Sequence, residues 1–386
     1  MRIEKQIDRE TALGLLDEIL RRPRAARFTG ADRPLALYGA GDLGKMARTY
    51  CDRIGRDVDY LVDANAHRLR GSSVWAKDRL FLPEEVPQDR KENDLLAVCI
   101  ATLPYTPLAE SLRKQGWRHL VPFYDLAEVY RDLHPLSNGW MPGALTDADI
   151  RELQDVLCSW SDDISRAHHL QFIAWRLLRQ DWFFTAAPVT PDDRFFIPEV
   201  MQALPAAVSF ADVGAHHGKV SLRLFDLIAG RLQKAWLVEA DPASLLRLQT
   251  AVDTAAPEFG GRVEIIPECV GSRPMTCLFF EGLGYASQVS ALGNRQIELT
   301  TIDALGISPN FMKLHLEGGE LAALEGARKT ISANRPVIAA TSYHTADGLW
   351  RLPRWLLEEM PDYRVMMRLH SWCGTGAVIY ALPNAI

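Results

Sequence analysis

The chain has 386 residues, 48% hydrophobic and 24% charged, which is the composition of a folded globular protein and too long for one ordinary core. A net charge of −6 and a pI near 6.0 exclude the basic footprint of a nucleic-acid or anionic-membrane binder. Six scattered cysteines without a C-x-x-C pair, a charged start (MRIEKQIDRE) without an apolar signal core, and no apolar run of about 20 residues lead us to expect a cytoplasmic protein with no membrane partner.

Residues 1 to about 30 read as an amphipathic helix, with Leu13, Leu16 and Leu20 on its apolar stripe. RPLALYGAGDLGKMARTYCDRIG then gives an apolar strand, a glycine turn and a helix, and VDYLVDAN gives a second strand ending at Asp63. LLAVCIAT (95–102), the helical LAESLRKQG and WRHLVPFYD continue the alternation, which predicts a parallel sheet with right-handed crossovers. LHPLSNGWMPG (133–143) is a Pro/Gly-bearing break. Helical patterns follow from TDADIRELQDVL, with Thr146 as N-cap and Asp149 in the first turn, to RLLRQDWFF. The predicted organisation is an N-terminal helix plus Rossmann-like unit (1–140), a helical linker region (141–205) and a second α/β domain (206–386). In that last domain seven strands are expected, at 209–215, 235–241, 263–270, 311–318, 336–344, 363–370 and 376–383, the last two as a hairpin.

Two glycine turns leave strands and open helices. In G-A-G-D-L-G, Gly39 permits the tight turn, Gly41 the approach of a pyrophosphate and Gly44 helix-strand packing, while Asp63, 22 residues after Gly41, could accept ribose hydroxyls. A nucleotide or nucleotide-sugar is therefore a candidate ligand here; the alternative is a turn that only packs. The second turn, D-V-G-A-H-H-G (Asp212–Gly218), lacks the dinucleotide spacing, and Asp212 would repel a pyrophosphate. Glu239, 21 residues after Gly218, suits a ribose. A nucleoside with no phosphate and a cationic end describes S-adenosylmethionine.

FMKLHLEGGE (311–320) alternates apolar residues with Lys313, His315 and Glu317 on what should be a central strand. Burying these groups without partners costs several kcal/mol each, so a site at the strand's carboxyl end explains His315 and Glu317. For Lys313 a salt bridge to Glu317 is the simpler reading.

The segment from about 205 to 383 resembles FkbM-family methyltransferases through DVGAHHG, VEADP (238–242), TTID (300–303), MKLHLEGGELAALEGA (312–327), HTADGLWRLP (344–353) and MRLHSW…VIYALP. The N-terminal unit resembles the Rossmann-like domains attached to sugar-modifying enzymes, and the FkbM resemblance implies a second doubly wound Rossmann-like domain after it. The second would be a class I methyltransferase with a seven-stranded sheet whose last strand is antiparallel. It also implies S-adenosylmethionine as cofactor and O-methylation of a hydroxyl on a saccharide or glycosylated natural product. The family reads K-I-D-V-E-G-x-E, and this chain has His315 where the aspartate is expected. His315 or His344 is the expected base, with Glu317 orienting; His370 would converge with them. Asp212, Gly214, Ala215, His217, Gly218, Glu239, Asp241, Glu268 and Cys269 are the expected cofactor residues, with Ser287 and Gln288 closing over them. Trp350 and Trp372 read as core rather than sugar-stacking residues. No tightly bound metal is expected, since the paired histidines at 216–217 and 168–169 lack ligand spacing on one face. Partners would be a small-molecule or saccharide substrate, and a homo-oligomer is compatible with the composition. The competing readings are an NAD- or nucleotide-sugar-dependent enzyme built on Gly39–Gly44 and a non-catalytic S-adenosylmethionine-binding module.

Overall fold

A computed structural model describes residues 2–3, 6–136, 138, 141–259 and 261–384. Part of the Pro/Gly break at 133–143 (residues 137, 139 and 140) lies outside them. The N-terminal unit is a five-stranded parallel sheet in the order Leu80–Phe81, Tyr60–Val62, Leu35–Tyr38, Leu95–Val98, His119–Pro122. Leu80–Phe81 adds a short edge strand to the four that the sequence predicts. Both faces are apolar and covered, as a parallel sheet requires.

The C-terminal sheet has seven strands in the order Val263–Ile266, Leu232–Val238, Val208–Val213, Phe311–Leu314, Val337–Thr341, Ala377–Pro383, Tyr363–Leu369. Ala377–Pro383 runs antiparallel to both its neighbours, and the other pairings are parallel. Strand order reverses between Val208–Val213 and Phe311–Leu314, which places the crevice between the second glycine turn and His315. Residues 269–300 add what periodicity did not reveal, a four-stranded sheet of Cys269–Val270, Arg295–Thr300, Met275–Phe280 and Gln288–Val289.

Helices Asp147–Ser159 and Asp163–Leu178 cover one face of the C-terminal sheet. Thr146 and Asp149 form the reciprocal cap that the sequence predicts: Asp149 N donates to Thr146 Oγ1 (3.2 Å) and Thr146 N to Asp149 Oδ2 (2.8 Å). The first helix, Arg9–Arg21, starts at an Asp8 cap and is shorter than the stripe over 1–30 implies. Its Ala12, Leu16 and Ile19 are buried with Leu157, Leu170 and Met312, so it completes the C-terminal core rather than the N-terminal unit with which sequence order groups it. The physical reason is its apolar stripe, which packs against helices Asp147–Ser159 and Asp163–Leu178 in one core. Among the described residues no helix is long and apolar enough to cross a membrane.

Leu16 is fully buried, so Leu16→Ala should cost about 2–5 kcal/mol and lower the unfolding midpoint of the C-terminal core in urea. A loss under about 1 kcal/mol would mean that the helix is not part of that core.

Candidate active site

One cleft of about 970 Å³ separates the two units, and both glycine turns open onto it. Gly39, Gly41, Asp42 and Asp63 line it from the N-terminal side; Gly214, Ala215, His217, Glu239, Glu268, Cys269, His315 and Glu317 line it from the other.

At the second turn the chain passes through left-handed conformations at Gly214 (φ 80°), His216 (φ 50°) and Gly218 (φ 77°). A Cβ on Gly214 would lie 2.1 Å from the His315 carbonyl oxygen, so only glycine lets the turn seat on the neighbouring strand. Glu239 Oε2 accepts from His216 N (2.7 Å) and its Oε1 from Ala240 and Asp241 N (2.9 and 2.8 Å). Burial raises its pKa, while those amides lower it. Glu239 thus binds the turn to the next strand and still faces the cleft. Burial pushes the Cys269 thiol up to about 12, so it is an inert wall. Ser287 and Gln288 also line the cleft.

Four expectations need correction. The Asp212 carboxylate is fully buried, off the cleft, and accepts from Lys313 Nζ at 2.7 Å and from Ser221 Oγ. It neutralises a lysine on the adjacent strand and has no charge to offer a ligand. Lys313 in turn is not paired with Glu317; it spans Asp212 and the Gly214 carbonyl (2.7 Å). Asp241, also off the cleft, caps the helix Pro242–Phe259 through Ser244 N and holds the 282–287 loop through Gly282 N (2.7 Å) and Ser287 Oγ (2.8 Å). Gly218 stands under Leu248, where a Cβ would come within 2.8 Å, and serves packing.

Beyond Leu314 the strand breaks at Glu317, which takes a left-handed φ of 51° before Gly318. A non-glycine residue held there stores about 1–3 kcal/mol. Glu320 imposes it: its Oε1 accepts from Leu316 N (2.9 Å) and Thr341 Oγ1 (2.6 Å), and its Oε2 from Gly318 N (3.0 Å). The result aims Glu317 between two imidazoles, His315 Nε2 at 3.2 Å and His344 Nδ1 at 3.2 Å. Burial alone would raise the Glu317 pKa, but His344 and His315 hold it well below the usual carboxylate range. Burial lowers His315 to about 3, against the pull of Glu317, so it is a neutral imidazole. Tyr343 Oη, 3.2 Å from His315 Nε2, accepts from Arg194 Nη2 at 2.8 Å. Sequence reasoning missed Tyr343, Arg194 and Glu320, none of which stands in a strand's polar register beside His315.

His344 is behind Glu317, off the cleft wall, with 1% of its side chain exposed. His370 does not join the group. Its Nδ1 meets the Thr190 carbonyl and its Nε2 the Tyr380 hydroxyl, each at 2.8 Å, on an edge strand three places from Phe311–Leu314. Trp350 packs against the core, and Trp372 stacks near Phe183 (5.1 Å) while its amide donates to Ala101 O.

On the N-terminal side Gly39 is left-handed (φ 102°), and a Cβ on Gly44 would lie 2.0 Å from the Gly39 carbonyl oxygen, so Gly44 serves packing. Gly41 has nothing within 4 Å of such a Cβ and borders the cleft. Asp63 accepts from Ala40 N and Asn65 N, both at 2.7 Å, and keeps lone pairs on the cleft side.

Residues 212–370 match the family model of the methyltransferase FkbM domain. A crystal structure of methyltransferase FkbM from Methylobacillus flagellatus KT covers 96% of this chain and 98% of its own, at TM-score 0.57 and 18% identity, a likeness of fold. Precorrin-6y C5,15-methyltransferase from Geobacter metallireducens GS-15 (13% identity, 51% of this chain and 94% of its own, TM-score 0.31) is also similar. So is the Aeropyrum pernix fibrillarin in complex with natively bound S-adenosyl-L-methionine (11%, 46% and 67%, TM-score 0.30). No curated protein matches the chain.

Lys313 and Asp212 form a buried pair. Lys313→Met alone should cost about 3–5 kcal/mol by stranding the carboxylate, and Asp212→Leu with Lys313→Met should restore at least half of that. Urea denaturation of the single and double variants checks it; additive losses would contradict the pairing.

Proposed function

We propose that this chain, whose residues 212–370 match the FkbM methyltransferase domain model, is an S-adenosylmethionine-dependent methyltransferase that O-methylates a hydroxyl of a saccharide or glycosylated metabolite. The observation that carries the reading is the single cleft shared by the two glycine turns, with His315 and Glu317 on its wall. Gly214, Ala215, His217, Glu239, Glu268 and Cys269 would hold the methyl donor: the turn backbone lets it approach, and the Glu239 carboxylate accepts hydroxyls. When bound, that donor supplies a methyl group on a sulfonium. Arg194, Tyr343, His315 and Glu317 would orient the acceptor beside it, with the anionic Glu317 and the neutral imidazole of His315 as the catalytic group that activates the hydroxyl, and His344 holding Glu317 from behind.

Across the cleft, the amide-lined turn Gly39–Gly44 and the Asp63 carboxylate suit the phosphates and ribose of a nucleotide or nucleotide-sugar, which would present its sugar to His315. The N-terminal unit then acts as an acceptor-holding module.

Calorimetric titration of the full chain separates the two halves of this reading. S-adenosylhomocysteine should bind the wild type, and Glu239→Gln should weaken it by about 10-fold or more through loss of charge-assisted hydrogen bonds. Uridine diphosphate and NAD(H) probe the other turn: Gly41→Val, at a position where an added Cβ has nothing within 4 Å, should abolish uridine diphosphate binding and leave S-adenosylhomocysteine untouched. Absence of adenosyl-ligand binding to folded wild type would sink the cofactor reading. Tight NAD(H) binding without uridine diphosphate binding would sink the acceptor reading.

A further inference from the structure

We infer that the methyl acceptor is an acid: Arg194 pairs with a carboxylate on the saccharide, so the acceptor is a uronic acid or a nucleotide derivative of one. The inference rests on the acceptor side assigned to the cleft above and specifies the class of sugar that side takes. Arg194 lines the cleft, half-buried, and among the described residues it forms no ion pair. Of its N–H donors only one has a hydrogen-bond partner among those residues, Nη2 donating to Tyr343 Oη at 2.8 Å, and Nε is buried without one.

A strained turn holds the guanidinium in place. Phe195, next in sequence, takes a left-handed φ of 70°, a conformation that costs a non-glycine residue about 1–3 kcal/mol. Two amides impose it: Phe195 N donates to Tyr380 Oη (3.0 Å) and Phe196 N to the Asp193 carbonyl (2.8 Å). The guanidinium then lies against the Phe195 ring (4.9 Å to its centroid) and the Tyr343 ring (5.6 Å). Such stacking fixes the fork and supplies no anion. The acids nearby are engaged with imidazoles instead. Asp193 lies 3.1 Å from His370 Nδ1, and Glu317 lies 3.2 Å from both His315 Nε2 and His344 Nδ1.

A half-buried guanidinium without a counter-ion is satisfied by a carboxylate, whose two oxygens match its planar fork. Because the anionic Glu317 stands at the same His315, a singly charged carboxylate fits here better than a dianionic phosphate. Tyr343 Oη bridges Arg194 Nη2 (2.8 Å) and His315 Nε2 (3.2 Å), so a carboxylate on Arg194 and a hydroxyl at His315 belong to neighbouring positions of one sugar ring. Lys219 and Arg223, exposed on the helix Lys219–Ile228, also line the cleft and add positive charge to it. Charge is divided to match the two ligands: Glu239 and Glu268 face the cationic methyl donor, and Arg194 faces the anionic acceptor.

The full-length chain, saturated with S-adenosylhomocysteine, is titrated calorimetrically with uridine diphosphate glucuronate and uridine diphosphate glucose, which differ only in a carboxylate against a hydroxymethyl group. Wild type should bind the glucuronate at least about 10-fold more tightly. Arg194→Gln should remove that preference, with glucose-derivative and S-adenosylhomocysteine affinities kept within about 3-fold, and Arg194→Lys, which keeps the charge without the fork, should retain part of it. Thermal midpoints of both variants report the fold. Equal affinities in wild type, or a preference that survives Arg194→Gln, overturn the inference and leave the nucleotide-sugar reading standing. Loss of S-adenosylhomocysteine binding in a folded Arg194→Gln also overturns it, because the guanidinium then serves the carboxylate of the donor. Silence of both nucleotide-sugars strikes the nucleotide reading of Gly39–Gly44 instead, and saturation-transfer NMR with methyl glucuronoside and methyl glucoside then decides the inference. A signal from the glucuronoside alone, lost in Arg194→Gln, sustains it; equal signals or none overturn it.

Discussion

The ion pair between Lys313 and Asp212, sealed at the centre of the seven-stranded sheet, is the constraint from which the rest of the site follows. It joins the two strands that flank the point where strand order reverses, and the same ammonium holds the Gly214 carbonyl. With 2% and 0% of the two side chains exposed, neither charge could stand alone, so the register of the strands and the start of the glycine turn are fixed together. Everything on the cleft side of that lock is placed by it: the turn that would cradle the methyl donor on one strand, and His315 and Glu317 on the other.

A second layer of polar contacts then spends fold stability on geometry. Glu320 clamps the backbone so that Glu317 adopts a strained left-handed turn. Glu239 and Asp241 tie the turn, the next helix and the 282–287 loop to one another. Glu320 and Asp241 act as positioning groups, while Glu239 both ties the turn and faces the cleft.

Much of the fold was legible because apolar runs and their turns mark strands irrespective of partners: each of the seven predicted segments overlaps a strand of the large sheet. The four-stranded sheet over 269–300 was not, because Met275, Leu278 and Val289 remain exposed and its strands read as polar, half-wet segments. For the site, periodicity singled out Lys313, His315 and Glu317 as anomalous, and the structure gives each a polar partner. The roles of Asp212 and His370 were misread for one reason. Proximity to a strand's carboxyl end says nothing about who sits on the neighbouring strand: the partner of Asp212 lies 101 residues away, and three strand spacings, about 14 Å, separate the His370 strand from His315. Likewise helix Arg9–Arg21 is grouped with its sequence neighbours until the core contacts show otherwise.

The two units meet across a cleft that neither could form alone, which makes the relation between the two glycine turns the central claim. A crystal structure of the full chain with S-adenosylhomocysteine tests it most directly. The ribose should lie against Glu239, the adenine beside Glu268 and Cys269, and the sulfur should point at His315 and Glu317, with the Gly39–Gly44 turn left open across from it. An adenosyl group seated on Gly39–Gly44 and Asp63 instead would contradict the assignment of donor and acceptor sides.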